Sequence, residues 1–259
     1  MKVNYAGTVS LSTLDWRGKA AVTIFFRDCP LRCPYCQNHS YLEEPGLVEL
    51  DFVKEQIKNS GPFVSAAVFS GGEPLMQAAI VPLAEFAKEL GLFVGIHTNG
   101  CYPERAAELV ERKLVDKFFI DVKAPPNDPG LYAKVAGCGG YGDGTVRKTP
   151  EEIAAAVAKT IETADSASLE LELRTTLIRD LIGSKEEIEH IAAWISENVK
   201  NREKTVYVLQ QGLPEHSLQE SLRKVRSLDR EEMLELGKTA KGFLEKVKVR
   251  TKEDGEEAV

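Results

Sequence analysis

Six short apolar, β-prone runs alternate with helical patterns along the chain, and this alternation restricts the fold more than any other feature. The runs fall at 22–26, 66–70, 93–98, 118–123, 169–178 and 205–211, and the helical patterns near 51–59, 77–90, 103–112, 150–164, 184–199 and 229–246. Strands separated by helices imply βαβ units and a parallel sheet. Six units make an α/β fold, a partial (β/α)6 barrel rather than a closed eightfold one. Several boundaries carry local signals. Asp51 could cap the first helix, Thr149-Pro150-Glu151-Glu152 reads as N-cap, N1 proline and acidic first turn, and Ser184 to Glu187 matches a capping box. Residues 125–145, rich in Gly and Pro, read as a loop, and the closing TKEDGEEAV as an acidic, frayed tail. The expected organisation is a barrel core over 1–211, with a loop, helix and tail over 212–259 that pack on the core or extend it.

A net charge of −7 argues against a broad electrostatic grip on nucleic acid. No apolar run approaches the roughly 20 residues of a membrane helix. The first residues, MKVNYAGTVSLSTLDW, lack the apolar core of a secretory signal, so a cytoplasmic location is expected. In that setting five cysteines are metal ligands or buried thiols rather than a disulfide set.

Cys29, Cys33 and Cys36 place three thiols within eight residues. A loop wrapping a metal centre explains that spacing, because thiolates must converge from different directions. Three protein ligands would leave one iron of a four-iron cube open. With His39 the same residues give a Cys3His pattern that structural zinc could also use, and unliganded thiols are a third reading. Cys101 is read as a buried apolar residue, and Cys138 as lying in a flexible glycine-rich loop.

The other unusual clusters each follow a strand: Gly71-Gly72-Glu73-Pro74 after the second, Thr98-Asn99-Gly100 after the third, Asp121-Val122-Lys123 at the end of the fourth. Ligand sites of parallel α/β sheets lie at the strands' carboxyl ends, so four clusters on that edge imply one site. The glycines permit close backbone approach, and Glu73 would repel a phosphate but suits a cationic amine. Thr98 and Asn99 suit a ribose or a carboxylate, or simply end a strand. His97 is read as a supporting residue. Asp121 and Lys123 share one side of their strand, with Phe118, Ile120 and Val122 on the other. In the fifth strand Leu169, Leu171 and Leu173 alternate with Glu170, Glu172, Arg174 and Thr176, a polar inward face that indicates a lined cavity. Arg174 could meet a ligand carboxylate or pair with Glu170 and Glu172. Gln210 and Gln211 could reach the cavity from the sixth strand.

The stretch STLDWRGKAAVTIFFRDCPLRCPYCQN, followed by SGGEPLMQ, TNG, DVK and RTTLI, resembles the radical S-adenosylmethionine (SAM) superfamily. Within it the chain looks most like the activating enzymes of glycyl radical enzymes, and among those the anaerobic ribonucleoside-triphosphate reductase activating proteins. The resemblance implies a [4Fe–4S] cluster on Cys29, Cys33 and Cys36, with SAM chelating the fourth iron. It further implies that Gly71, Gly72 and Glu73 hold the methionine amino group, and that Thr98 and Asn99 lie near the ribose or carboxylate. Asp121, Lys123 and Arg174 would contact SAM, and Tyr35 would pack near the adenine. The activity implied is reductive cleavage of SAM to a 5′-deoxyadenosyl radical, under anaerobic conditions, with a flavodoxin or ferredoxin as reductant and a glycyl radical enzyme as partner. The alternative is a radical SAM enzyme modifying a small molecule, a peptide or an RNA base. The chain departs from many activating enzymes in carrying Asp15-Trp16-Arg17-Gly18 for Asp-Gly-Pro-Gly, and from some in carrying His97 for an aspartate.

Overall fold

The computed structural model describes residues 1–42, 44–140 and 147–259. Its strands are β1 (Lys2–Ser12), β2 (Ala21–Phe26), β3 (Leu47–Glu49), β4 (Ala66–Gly71), β5 (Phe93–Thr98), β6 (Lys117–Asp121), β7 (Glu170–Leu177), β8 (Thr205–Gln211), β9 (Val247–Thr251) and β10 (Gly255–Ala258). The helices are α1 (Leu50–Lys58), α2 (Ile80–Glu89), α3 (Pro103–Glu111), α4 (Pro129–Ala136), α5 (Pro150–Ser166), α6 (Lys185–Asn198) and α7 (Arg230–Lys241). One sheet runs in the order β10-β9-β8-β7-β6-β5-β4-β2-β1-β3. Every pair from β2 to β9 is parallel, while β1, β3 and β10 are antiparallel margins. The fold is therefore α/β, a partial barrel, with all six expected strands as consecutive parallel neighbours.

The strand period places the core. Val22, Ile24 and Phe26, then Phe118 and Ile120, then Leu171 and Leu173 are buried outward against the helices. The inner face carries a separate small apolar cluster of Trp16, Ala21, Ala66, Val68 and Phe119. Trp16 comes from the loop between β1 and β2 and meets Phe119 edge-on, ring centroids 5.7 Å apart. That cluster fills the inside from the amino ends of β2 and β4, where Ala21 and Ala66 begin their strands, so the room left for a ligand lies toward the carboxyl ends.

Local capping reads as expected at α5 and α6, where Thr149 with Glu152 and Ser184 with Glu187 form complete capping boxes. Elsewhere the structure differs. Helix α1 begins at Leu50 behind Glu49, so Asp51 sits in the first turn and favours the helix through its charge instead of capping it. The segment read as a loop contains α4, nucleated by Asp128, whose Oδ1 accepts from the Leu131 N–H at 3.0 Å. Residues 141–145 of that segment lie outside the described residues. Cys138 is buried, with its N–H on the Ala133 carbonyl, and is no flexible-loop thiol. The acidic tail is no frayed end either: β9 adds parallel to β8 and β10 folds back on it, because Val247, Val249 and Thr251 supply an alternating buried face. No helix among the described residues is long and apolar enough to cross a membrane.

Candidate active site

At the carboxyl ends of the parallel strands lies a cavity of about 210 Å³. Cys29, Cys33 and Cys36 line it together with Tyr35, Gly71, Gly72, Thr98, Asn99, Asp121, Lys123 and Arg174. Eleven of the twelve residues singled out from the sequence thus meet in one place; Glu73 is not among those that line it.

The loop after β2 carries the thiols. Asp28 adopts a left-handed conformation, φ 70°, and its Oδ1 accepts from the Cys29 N–H at 2.8 Å. The Cys36 N–H closes a turn on the Cys33 carbonyl, and Asn99 Nδ2 donates to Cys29 Sγ at 3.4 Å. No two of the five cysteines are bonded to each other. Burial pushes the Cys33 thiol up to about 12, and moves Cys29 and Cys36 in the same direction. Three neutral thiols pressed into one cavity become thiolates only beside a compensating positive charge, which fits a metal cluster. Among the described residues, no three Cys, His, Asp or Glu side chains converge on a single ion, and His39 does not line the cavity. A four-iron cube suits wider spacing, since each thiolate takes a different iron.

The β4 turn packs directly on the thiol loop. The Gly72 N–H donates to the Phe26 carbonyl and the Glu73 N–H to the Asp28 carbonyl, each at 2.8 Å. Gly71 holds φ +110°, which favours glycine, and a Cβ on Gly72 would stand 1.9 Å from the Asp28 carbonyl oxygen. Gly72→Ala is therefore expected to push the cysteine loop away and cost about 1–3 kcal/mol of stability by overpacking. Iron incorporation and the unfolding midpoint of the variant check this together.

Glu73 explains its absence from the lining. It is fully buried, and its carboxylate accepts from Thr98 Oγ1 at 2.7 Å, the Asn99 N–H at 2.8 Å and the Leu75 N–H at 2.9 Å. Burial raises its pKa to about 7 against the pull of those three donors. It ties the turn after β4 to the end of β5, while Gly71 and Gly72 line the cavity. Thr98 likewise spends its hydroxyl proton on Glu73.

Strands β5 to β7 supply a charged wall. Lys123 Nζ lies 3.2 Å from Asp121 Oδ2 and 3.5 Å from the Tyr35 hydroxyl. Arg174 Nε donates to Glu172 Oε1 at 2.7 Å, and its guanidinium carbon sits 4.5 Å from the centre of the Phe119 ring. Burial by itself would raise the Glu172 pKa, but Arg174, Lys117 and Arg250 hold it far below the usual carboxylate range. Glu170 is largely exposed and reaches only Lys117, at 4.0 Å. Gln210 lines the cavity, whereas Gln211 turns away to the Leu228 carbonyl and the Lys252 N–H.

His97 has a larger part than a strand-end histidine would suggest. Its Nδ1 faces an Arg174 N–H at 3.4 Å and its Nε2 the Asp15 carbonyl at 2.9 Å. Arginine can only donate, so Nδ1 is the acceptor and Nε2 carries the proton. Burial, then Arg174, drives the imidazolium pKa far down, so the ring is neutral. Asp15 also takes the Thr23 hydroxyl at 2.7 Å, which locks the Trp16 loop beneath the cavity. Arg250, 78 residues beyond Glu172, donates to it at 3.0 Å from β9. Nothing in the sequence pointed to that residue, since no strand was read between the last helix and the tail.

The sequence profile of the radical SAM superfamily matches residues 23–225. A protein of Methanocaldococcus jannaschii whose name provisionally assigns it to the glycyl-radical enzyme activating enzymes is 34% identical over 97% of both chains. The pyruvate formate-lyase-activating enzyme of Clostridium pasteurianum is 28% identical over 91% of this chain and 96% of its own. Among solved structures, a radical SAM methyltransferase from Sphaerobacter thermophilus superposes with a TM-score of 0.64 at 12% identity, over 91% of this chain and 67% of that one. Three free thiols gathered with the three strand-end motifs, on a chain matched along most of its length, make this protein a member of the radical SAM superfamily, enzymes that work with a [4Fe–4S] cluster and SAM.

Proposed function

We propose that this chain cleaves SAM reductively and directs the resulting 5′-deoxyadenosyl radical at a glycine of a partner enzyme, such as an anaerobic ribonucleotide reductase. The observation that carries this reading is similarity over 97% of both chains to a relative named for glycyl radical activation. Cys29, Cys33 and Cys36 would each hold one iron and leave the fourth to the amino and carboxylate groups of SAM. Held there, the cluster would supply the single electron for cleavage of the C5′–S bond of SAM.

The protein's own groups bind and orient. The main chain at Gly71 and Gly72 lies against the cysteine loop and can accept from the methionine amino group, while Glu73 fixes the turn that presents it. Arg174 is anchored through Nε to Glu172 and through Nη1 to His97, which leaves Nη2 for a ligand carboxylate or ribose. Lys123 is oriented by Asp121 and Tyr35, with the Tyr35 ring suited to pack near the adenine. The neutral His97 holds Arg174 from the far side and offers no charge of its own. Beneath them the Trp16 and Phe119 cluster keeps water out of the space where a radical forms. The electron would come from a flavodoxin or ferredoxin.

Ser70, Thr176 and Gln210 also line the cavity without an assignment to SAM. They would suit a small polar substrate, the second reading. The deciding experiment is anaerobic incubation of the reconstituted protein with SAM, dithionite and a glycyl radical enzyme from the same genome. The expected result is a carbon-centred doublet in the electron paramagnetic resonance spectrum that requires SAM and vanishes when the target glycine becomes alanine. SAM cleavage that proceeds with no radical on any such enzyme would sink the activation reading in favour of the small substrate.

A further inference from the structure

Cys29 lines two cavities. One is the ligand cavity described above; the other is a concavity of about 430 Å³ on the outer side of the cysteine loop. Among the described residues, the outer concavity is lined by Arg32, Arg147 and Lys148, with Tyr102 and Met76 as its apolar rim and Asp28 as its one carboxylate. Cys33 and Cys36 line only the inner cavity, and the loop between them is covered where the Gln219 N–H donates to the Pro34 carbonyl at 2.8 Å. Of the three thiols, Cys29 is therefore the one that stands between the inner site and an outer surface.

The charge of that surface runs against the rest of the molecule. The chain as a whole carries −7, whereas among the described residues three cations and a single carboxylate line this concavity. Lys148 Nζ donates to the Cys101 carbonyl at 2.8 Å, a neutral acceptor that leaves its charge in place. Arg147 is exposed. Arg32 donates to the carbonyl of Cys29 itself at 2.7 Å, so the cationic rim is bonded directly to a cluster-ligand residue.

We propose that this concavity is where the reductant docks, and that the reductant is an acidic one-electron carrier protein. Local positive charge on an acidic chain repels most proteins less than it attracts an acidic one, and steers that one to a single face. The carrier gives up one electron and the cluster takes it up, going from the 2+ to the 1+ state, with no bond made or broken and no proton moved. The carrier's redox centre then needs to approach only the Tyr102 and Met76 rim, because Cys29 bridges rim and cluster. The inference rests on the cluster assignment to Cys29, Cys33 and Cys36 and is independent of which hydrogen donor the radical attacks.

The test uses the cluster-loaded enzyme and flavodoxin hydroquinone as the probe. Binding is measured by calorimetry at low and high salt, and cluster reduction is followed by loss of visible absorbance, with dithionite as a donor that does not dock. Arg147→Glu is expected to weaken flavodoxin binding about tenfold and to slow reduction by flavodoxin in proportion. Reduction by dithionite stays within about twofold of the wild type, and so does flavodoxin binding by Lys204→Glu, placed at the opposite, amino ends of the strands. The double variant with Lys148→Glu should show a larger loss. Flavodoxin binding that ignores salt, or that is the same in Arg147→Glu as in the wild type, would overturn the assignment. An equal loss with dithionite would also overturn it, by tracing the effect to the cysteine loop and not to docking.

Discussion

Cys33→Ala is expected to lose the cluster and with it the formation of 5′-deoxyadenosine, by about three orders of magnitude or more, since a four-iron cube cannot be held by two neighbouring thiolates. The fold should survive the change. Cys33 is a small buried group in a loop, and truncating it to alanine removes one sulfur from a cavity already open on one side. The stability loss should stay near 1 kcal/mol, far short of unfolding. Cys101→Ala is the matched comparison: Cys101 is equally buried but lines neither cavity, so its variant should keep both iron and activity. Iron content, visible absorbance and product yield from dithionite and SAM give the answer in one preparation. Wild-type yield from Cys33→Ala would remove the cluster from this site altogether.

Glu172→Gln is expected to cost about 3–5 kcal/mol of stability, because removing one partner of a buried ion pair leaves the buried Arg174 guanidinium without its carboxylate. The Glu172 carboxylate is 7% exposed and faces Arg174 at 2.7 Å, Arg250 at 3.0 Å and Lys117 at 3.3 Å. A neutral amide would leave Arg174 without a carboxylate in a nearly dry space, while Arg250 keeps Glu256 and Lys117 keeps Glu170. For a chain of this size that loss moves the melting temperature by about 10 °C. SAM affinity should fall about tenfold as well, since Arg174 loses the bond that aims it. The pH dependence has a definite sign. Because the folded state depresses the Glu172 pKa, its contribution is complete above the ordinary carboxylate value of 4.5 and drains away as pH falls below it. Melting curves from neutral to acid pH should show that fall in the wild type and a flatter profile in Glu172→Gln. A melting temperature within about 2 °C of wild type would mean that solvent already screens the four charges.

How much of this was written in short stretches of sequence can be judged residue by residue. The capping boxes at Thr149 and Ser184 were legible because a helix start is a local contract among four consecutive residues. The polar face of β7 was legible because side chains alternate along any strand, so Glu172 and Arg174 had to share a side. The fate of Glu73 was not. Its spacing to the glycines suggested a ligand for an amine, whereas its bonds to Thr98 and Asn99, at the end of another strand, could not be read there. The tail from Thr251 on was misread because its many charges look solvated, although Gly255–Ala258 pairs antiparallel with β9.

The sequence by itself determined the order of the six parallel strands and where the unusual chemistry falls on them: three thiols in eight residues, and a motif after each of the next three strands. These are short-range facts, set by spacing, period and residue chemistry. Only the tertiary structure decided what those motifs touch. It made Glu73 the tie between two turns and His97 a neutral brace for Arg174, and brought Arg250 across 78 residues onto Glu172. It also set Cys29, alone among the three thiols, between the inner cavity and a basic outer face. The physical reason is strand pairing. Which side chains meet across a sheet depends on register between segments far apart in sequence, and a slip of one residue would turn each of them to the opposite face.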